Sequence, residues 1–311
     1  MKKLHTAVAL RIHSGASTRW IMPDVAVALL PAAAAGVAVF GLRALRVILV
    51  CVISAVLAEA LFNLACRKRQ TVGDFSAAVT GLLLALSLNA AVPLWQCAIG
   101  SVFAVVVVKG LFGGIGKNLV NPANTAHVFM LLTFSAVAGG AFPTIVELSA
   151  TATPLAILNE GVEAAAGAPS LLDLLLGVHG GAIGETCIIA LLIGFVYLVI
   201  RRVIRWYVPA AFVATVFLCY LVCAGDAVYA LQQILAGGLI LGAVFMATDY
   251  VTTPANNPGR VVFCVGCGLI TFAIRQFGSH PEGVSSSILV MNLLSPIVEK
   301  LTTPKTLGGV K

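Results

Sequence analysis

The stretch ELSATATPLAILNEG, Glu147 to Gly161, carries a hydroxyl that could be esterified. Thr153 precedes Pro154, and Pro154 precedes an apolar start, LAIL. That order reads as a helix N-cap with proline at the first helical position. The small residues ahead of it, Ala150, Thr151 and Ala152, leave the hydroxyl open to a large partner. A phosphate attached there would also meet free backbone N–H groups at a helix start. On the residues alone, cap and phosphate acceptor both stand.

Amides and carboxylates supply the other chemistry. Asn118, Asn121 and Asn124 recur every third residue around Pro122 in GKNLVNPAN. On a helix they would share one face. Amides offer donors and acceptors together, so such a face could read the edge of a planar heterocycle or coordinate a cation through carbonyl oxygens. Asn-Pro equally marks a turn and cap. TDYVTTPANNPGR, which holds Asp249, is a second polar break of this kind. Asp24 and Glu59 fall within apolar runs, Asp74 and Asp249 at their ends, and Glu185 in GAIGETC at the start of one. A carboxylate at a helix start meets the macrodipole, which would account for Asp24 and Asp74. Glu59 is deeper. Intramembrane carboxylates are costly and mark ion pathways, so Glu59 and Asp249 are the ion-path candidates. Cys264 and Cys267 form a C-x-x-C, which beside Gly266 and Gly268 reads as small residues packing a helix contact rather than a metal or redox motif. No metal site, iron–sulfur site or nicotinamide site is expected in this chain.

The elements that must position these groups are membrane helices. The chain has 311 residues, 60% hydrophobic and 10% charged, against about 25% charged in soluble domains. Its apolar runs are continuous, which argues against a β-barrel and for one all-α integral membrane domain. We expect about ten transmembrane helices, near 22–42, 45–66, 75–89, 92–113, 124–140, 182–203, 207–225, 228–248, 260–278 and 283–302. The third is short and could be half-spanning. The net charge of +7 comes from short basic clusters between spans, a topology signal rather than a nucleic-acid surface. The opening MKKLHTAVALRIHSG is too broken by charge to read as a cleavable signal peptide.

With the N-terminus inside, 15 of the 19 basic residues fall on the cytoplasmic side. Both termini are then cytoplasmic, and the connection 141–181 with Thr153 is extracytoplasmic. KGLFGGIGKNLVNPANTAHVFMLL and IRQFGSHPEGVSSSILVMNLLSP each give a Phe-Gly turn, a proline, small polar residues and a further apolar run. We read them as an inverted repeat, 1–140 against 182–311, a plan that places binding sites at broken helices near the midplane.

Ordered blocks along nearly the whole chain carry a family resemblance: IMPDVAVALLPA, AEALFN, DFSAAVTGLLLALSLN, KGLFGGIGKNLVNPA, TATPLA, GAIGET, FMATDYVTTP and PEGVSSSILVMNLLSPIVE. The chain resembles the D subunit of the Rnf complex and, more distantly, the B subunit of the Na+-translocating NADH:quinone reductase. The resemblance implies a flavoprotein subunit of an ion-translocating (Na+ or H+) ferredoxin:NAD+ oxidoreductase in a bacterial inner membrane. It implies FMN joined through its phosphate to a threonine ending a pattern like D-x-x-[ST]-G-A-T, here Thr153. Upstream the chain departs from that pattern, with Glu147, Ala150 and Thr151 at the Asp, Ser/Thr and Gly positions. The resemblance also implies a non-covalent riboflavin, with Asn118 and Asn121 matching its N-x-x-N motif, and it implies Rnf subunits A, B, C, E and G and a flavin transferase as partners. No residue is then needed as a catalytic nucleophile. The rival reading is a channel or carrier for a small solute on the same inverted-repeat bundle.

Overall fold

The computed structural model describes residues 18–134, 137, 153–161, 169–177, 179–278 and 282–303. Among these the regular structure is entirely helical. The first half holds α1 (Thr18–Phe40), α2 (Leu42–Ala65), α3 (Ser76–Ser87), α4 (Leu94–Val102, continued as a π-helix over Phe103–Gly110) and α5 (Pro122–Thr133). Two short helices follow, α6 (Pro154–Leu158) and α7 (Leu171–Leu176). The second half holds α8 (Ile188–Ile200), α9 (Tyr207–Ala224), α10 (Ala227–Leu235), α11 (Leu239–Leu241, continued as a π-helix over Gly242–Met246), α12 (Asn257–Phe277) and α13 (Val284–Thr302).

The helices are built for lipid. On α2, Leu45, Leu49, Ile53, Leu57 and Leu61 recur every fourth residue and are exposed, while Ala44, Val47, Cys51, Ala55 and Ala58 are buried. Bulky side chains outside and small ones inside let helix backbones approach where lipid is the solvent. Five helices, α1, α2, α9, α12 and α13, are long and apolar enough to cross a membrane, and α10 with α11, bent by 66°, would make a sixth. The chain is a multi-pass membrane protein.

The third span is short, as expected, and the sixth is shorter than read. α3 has 12 residues, about 18 Å of helix against a hydrocarbon core of about 30 Å. The span expected from residue 182 becomes helical only at Ile188. Its opening residues are used otherwise, since Ile183 N donates to Leu88 O at 2.9 Å and Gly184 N to Leu86 O at 2.8 Å. They satisfy carbonyls at the end of α3 that its own helix cannot. The fifth span, expected over 124–140, is helical over Pro122–Thr133, and most of its remainder lies outside the described residues.

With α10 and α11 counted as one broken helix, each half packs its second helix against its third and fourth, and its fourth against its fifth. The halves meet through α1 on α8 and α5 on α13. A Cβ on Gly194 of α8 would lie 2.2 Å from Ala28 O, so these two backbones touch. Asp24 joins the same interface. It accepts from Tyr197 Oη at 2.9 Å and pairs with Arg201 Nη2 at 3.1 Å, so a through-space pair rather than a helix dipole holds it. Asp74 does cap a helix start, accepting from Ser76 N at 2.9 Å. Cys264 and Cys267 are buried, free thiols on α12, where Gly268 abuts Phe212 O and Thr215 of α9. They pack a helix contact, as read.

Candidate functional site

A cleft, open at its mouth, lies between the halves. α1, α3, the end of α4, the turn before α5 and the turn after α11 all line it. Its polar groups include Asn118, Asn121, Asp249, Thr248, Ser76 and Lys109; its apolar wall includes Met22, Leu83 and Phe245. Three of the residues singled out in the sequence, Asn118, Asn121 and Asp249, thus converge across more than 120 residues of chain.

The asparagines do not share a helical face. Pro122 starts α5, so Asn121 is its N-cap, accepting from Asn124 N at 3.2 Å. Asn118 lies in the preceding turn, where its buried Oδ1 has no protein partner. Asn124 leaves the cleft and donates to Ser285 O at 2.8 Å, while His127 Nδ1 meets Ser285 Oγ at 2.8 Å, fastening α5 to α13. Asn292 of α13, fully buried, bridges both polar breaks once its amide is turned to satisfy them. It then donates to Thr252 O at 3.2 Å and accepts from Asn121 N at 3.1 Å. Asp249 takes hydrogen bonds from Val251 N at 3.3 Å and Thr252 Oγ1 at 3.1 Å. Its rim is part-exposed, but the protein packed round it pushes its carboxyl above the ordinary 3.8, those two bonds pulling the other way.

Glu59 lines a neighbouring chamber that shares Lys109 and Ile115 with the cleft. Lys109 Nζ pairs with Glu59 Oε1 at 2.7 Å, both side chains about 95% buried. Lys109 also donates to Ser76 Oγ, and Ser76 Oγ donates to Asp74 Oδ1. Thr71 Oγ1 donates to Glu59 Oε1 at 2.7 Å, and Asn63 Nδ2 to Thr71 Oγ1 at 2.9 Å. One polar chain therefore runs from α2 through the α4 π-helix to the start of α3. Glu59 Oε2 alone has no partner. A π-helix often marks a functional site because it displaces a residue from regular register, and Lys109 stands in this one.

Thr153 is not among the residues lining the cleft. It is the N-cap of α6, with Oγ1 accepting from Ala156 N at 3.1 Å and its side chain part-exposed. α6 is anchored rather than free: Leu158 O accepts from Tyr229 Oη at 3.0 Å, and Leu155 packs at Gly237. An esterifiable hydroxyl on a docked turn fits a covalent phosphate ester. Glu147, Ala150, Thr151 and Ala152 lie outside the described residues.

Sequence reasoning passed over Lys109, Asn292, Arg275 and Glu282. The one available signal was a charge or amide within an apolar run, which Lys109 and Asn292 both display.

The D subunit of the Na+-translocating ferredoxin:NAD+ oxidoreductase complex of Acetobacterium woodii is 42% identical over 316 residues, covering 100% of this chain and 98% of that one. Its counterpart in the proton-translocating ferredoxin:NAD+ oxidoreductase complex of Clostridium ljungdahlii is 38% identical, covering 93% and 91%. The D subunit of the ion-translocating oxidoreductase complex of Stutzerimonas stutzeri is 34% identical, with the same coverage. The model of the NQR2, RnfD, RnfE family matches residues 6–308, and the chain belongs to that family.

Proposed function

We propose that this chain is the D subunit of an ion-translocating ferredoxin:NAD+ oxidoreductase, holding FMN on Thr153 and riboflavin in the cleft between its halves. The observation that carries the reading is the match over residues 6–308, to relatives whose names state that activity. In it, Rnf subunits A, B, C, E and G are the neighbours, and a flavin transferase matures the protein. The membrane is the bacterial inner membrane, with both termini cytoplasmic and Thr153 outside. The two halves are inverted repeats, which the first-on-first and fifth-on-fifth helix contacts support.

The flavins supply one- and two-electron redox chemistry when bound; the protein supplies placement and charge. α6 docks Thr153 against α10, which holds the attached group at the edge of the bundle. In the cleft, Asn118 Oδ1 is a buried acceptor with an unmet hydrogen-bonding need, suited to a donor on a planar heterocycle. Lys109 brings positive charge to the cleft wall while its other face holds Glu59. Lys109 thus stands between the cleft and Glu59, whose carboxylate it holds at 2.7 Å. Asp249, its carboxyl pushed toward the neutral form by burial, can hold a proton on the opposite wall.

The test is flavin retention. The full chain, purified from a host with the flavin transferase, is denatured and read by flavin fluorescence and intact mass. A gain of one FMN less one water, lost in Thr153→Ala, is expected. An unmodified chain would remove the covalent flavin from the reading. Riboflavin released on denaturation and depleted in Asn118→Leu is the parallel result for the cleft.

A further inference from the structure

The break between α10 and α11 collects buried charge for which the flavin reading has no use. α10 ends at Leu235, and Gly237 turns the chain with φ +70°. A Cβ placed on Gly238 would lie 3.3 Å from Glu282 Oε1 and 3.6 Å from Glu185 Oε1. Two carboxyls from distant parts of the chain thus close on one backbone position. A Cβ on Gly237 would lie 3.3 Å from Arg275 Nη2. Arg275 is 2% exposed and donates to Gln233 O at 2.6 Å and Ala236 O at 3.2 Å, carbonyls left open at the end of α10.

The guanidinium is spent on carbonyls. Neither carboxyl is within salt-bridge distance of it, since the described ion pairs are Lys109–Glu59 and Arg201–Asp24. Among the described residues, five buried polar atoms around the break find no protein partner: Arg275 Nε, Gln233 Oε1, Tyr220 Oη, His179 Nε2 and Thr186 Oγ1, the last on the residue after Glu185. Buried atoms of this kind are satisfied by water or by a bound species. Among the described residues, the other titratable groups nearby are His127 of α5, which feels Glu282, Tyr220 of α9, which feels Arg275, and Asp173 with His179 ahead of α8. None of them supplies a fixed positive charge beyond Arg275.

With both carboxyls ionised the cluster carries a net charge of minus one, and a divalent ion would overshoot neutrality. We propose that Glu185 and Glu282 form a second cation site at this break, taking one monovalent cation, a proton or Na+, between their carboxyl oxygens. The site adjoins Leu155, two residues from Thr153, and so lies at the end of the bundle where the proposed flavin is attached. Its role in transport rests on the ion-translocation reading; its existence does not, and it needs no flavin.

The test is infrared difference spectroscopy on the full-length chain in lipid nanodiscs, without Na+, at neutral pH. The expected result is a carboxylic-acid C=O band that shifts in D2O. It is lost in Glu185→Gln and in Glu282→Gln and kept in Glu59→Gln. Removal of the band by NaCl but not KCl assigns the site to Na+. Removal only by raising the pH assigns it to a proton. A band that survives both glutamine variants, or no band and no Na+-dependent carboxylate change, overturns the proposal. Glu282→Asp, which keeps the carboxyl, must keep the band, and an unchanged unfolding temperature guards against misfolding. Thr153→Ala leaves this readout intact, so failure here and failure of the flavin reading remain distinct.

Discussion

Each half of the protein buries one basic residue near the end of its fourth helix, and the two are used differently. Lys109 is neutralised directly by Glu59 at 2.7 Å and fixed by Ser76. Arg275 has no carboxylate at bonding distance and instead caps the carbonyls of α10. A compact ammonium suits a point contact, whereas a guanidinium can fork to two acceptors. The first cluster is therefore closed on itself, and its Glu59 opens only if Lys109 lets go. In the second, Glu185 and Glu282 meet at Gly238 with no basic group at bonding distance. The comparison teaches that a buried base is not by itself a salt bridge: the acceptor geometry decides whether it silences a carboxylate or frees one.

The largest effect should come from breaking the closed cluster. Lys109→Met leaves Glu59 buried without its partner, and we expect a loss of about 3–5 kcal/mol, the cost of orphaning one member of a buried pair. Denaturant unfolding of the purified protein measures it, and Glu59→Gln added to Lys109→Met should restore most of the loss. A purely additive double variant would mean that the pair is not the closed unit described.

Arg275→Met should cost less, about 1.5–3 kcal/mol, the range for a charge-assisted bond, because no carboxylate is orphaned at bonding distance. Here the contrast is sharpened by Arg275→Lys. It should recover only part of the unfolding temperature, since one ammonium cannot reproduce the fork to Gln233 O and Ala236 O. Full recovery would make Arg275 a second Lys109.

Thr153→Ala removes only a local N-cap and should cost about 1 kcal/mol, far below either cluster, while abolishing covalent flavin. A large fall in stability without any change in flavin content would reverse the roles given to Thr153.

The smallest effect is a slope. The Asp249 carboxyl sits above 3.8 in the folded chain, so between its ordinary value and its raised one the folded state binds more protons than the unfolded. Its contribution is fully present below 3.8 and is lost as pH rises through the raised value. Asp249→Asn should flatten unfolding temperature against pH over that window. An unchanged slope would assign the pH dependence to another group.

Much of the fold was legible in the residues. Runs of Leu, Val and Ala marked the helices, and most boundaries held. The exceptions were the eighth span, read as continuous but broken after Leu235 with a 66° bend, and the opening of α8, where GAIGE pairs with the end of α3 instead of starting a helix. Nothing local marks that pairing, because Leu86 and Leu88 stand nearly a hundred residues away. At the site, the caps were legible: Thr153-Pro154 and Asn121-Pro122 both start helices. The shared face of three asparagines was not, because Pro122 forces the helix to begin between them.

The sequence by itself determined the class of this protein and its local punctuation: an apolar helical bundle, its turns and caps, and the rare polar residues within it. Those depend on composition, period and neighbours along the chain, which a single sequence displays in full. Only the tertiary structure decided who meets whom: Lys109 with Glu59, Asn292 between two polar breaks, Glu185 with Glu282 at Gly238. The physical reason is that a charge buried in a low-dielectric bundle is governed by what lies within a few ångströms of it, and packing, rather than sequence separation, sets that neighbourhood.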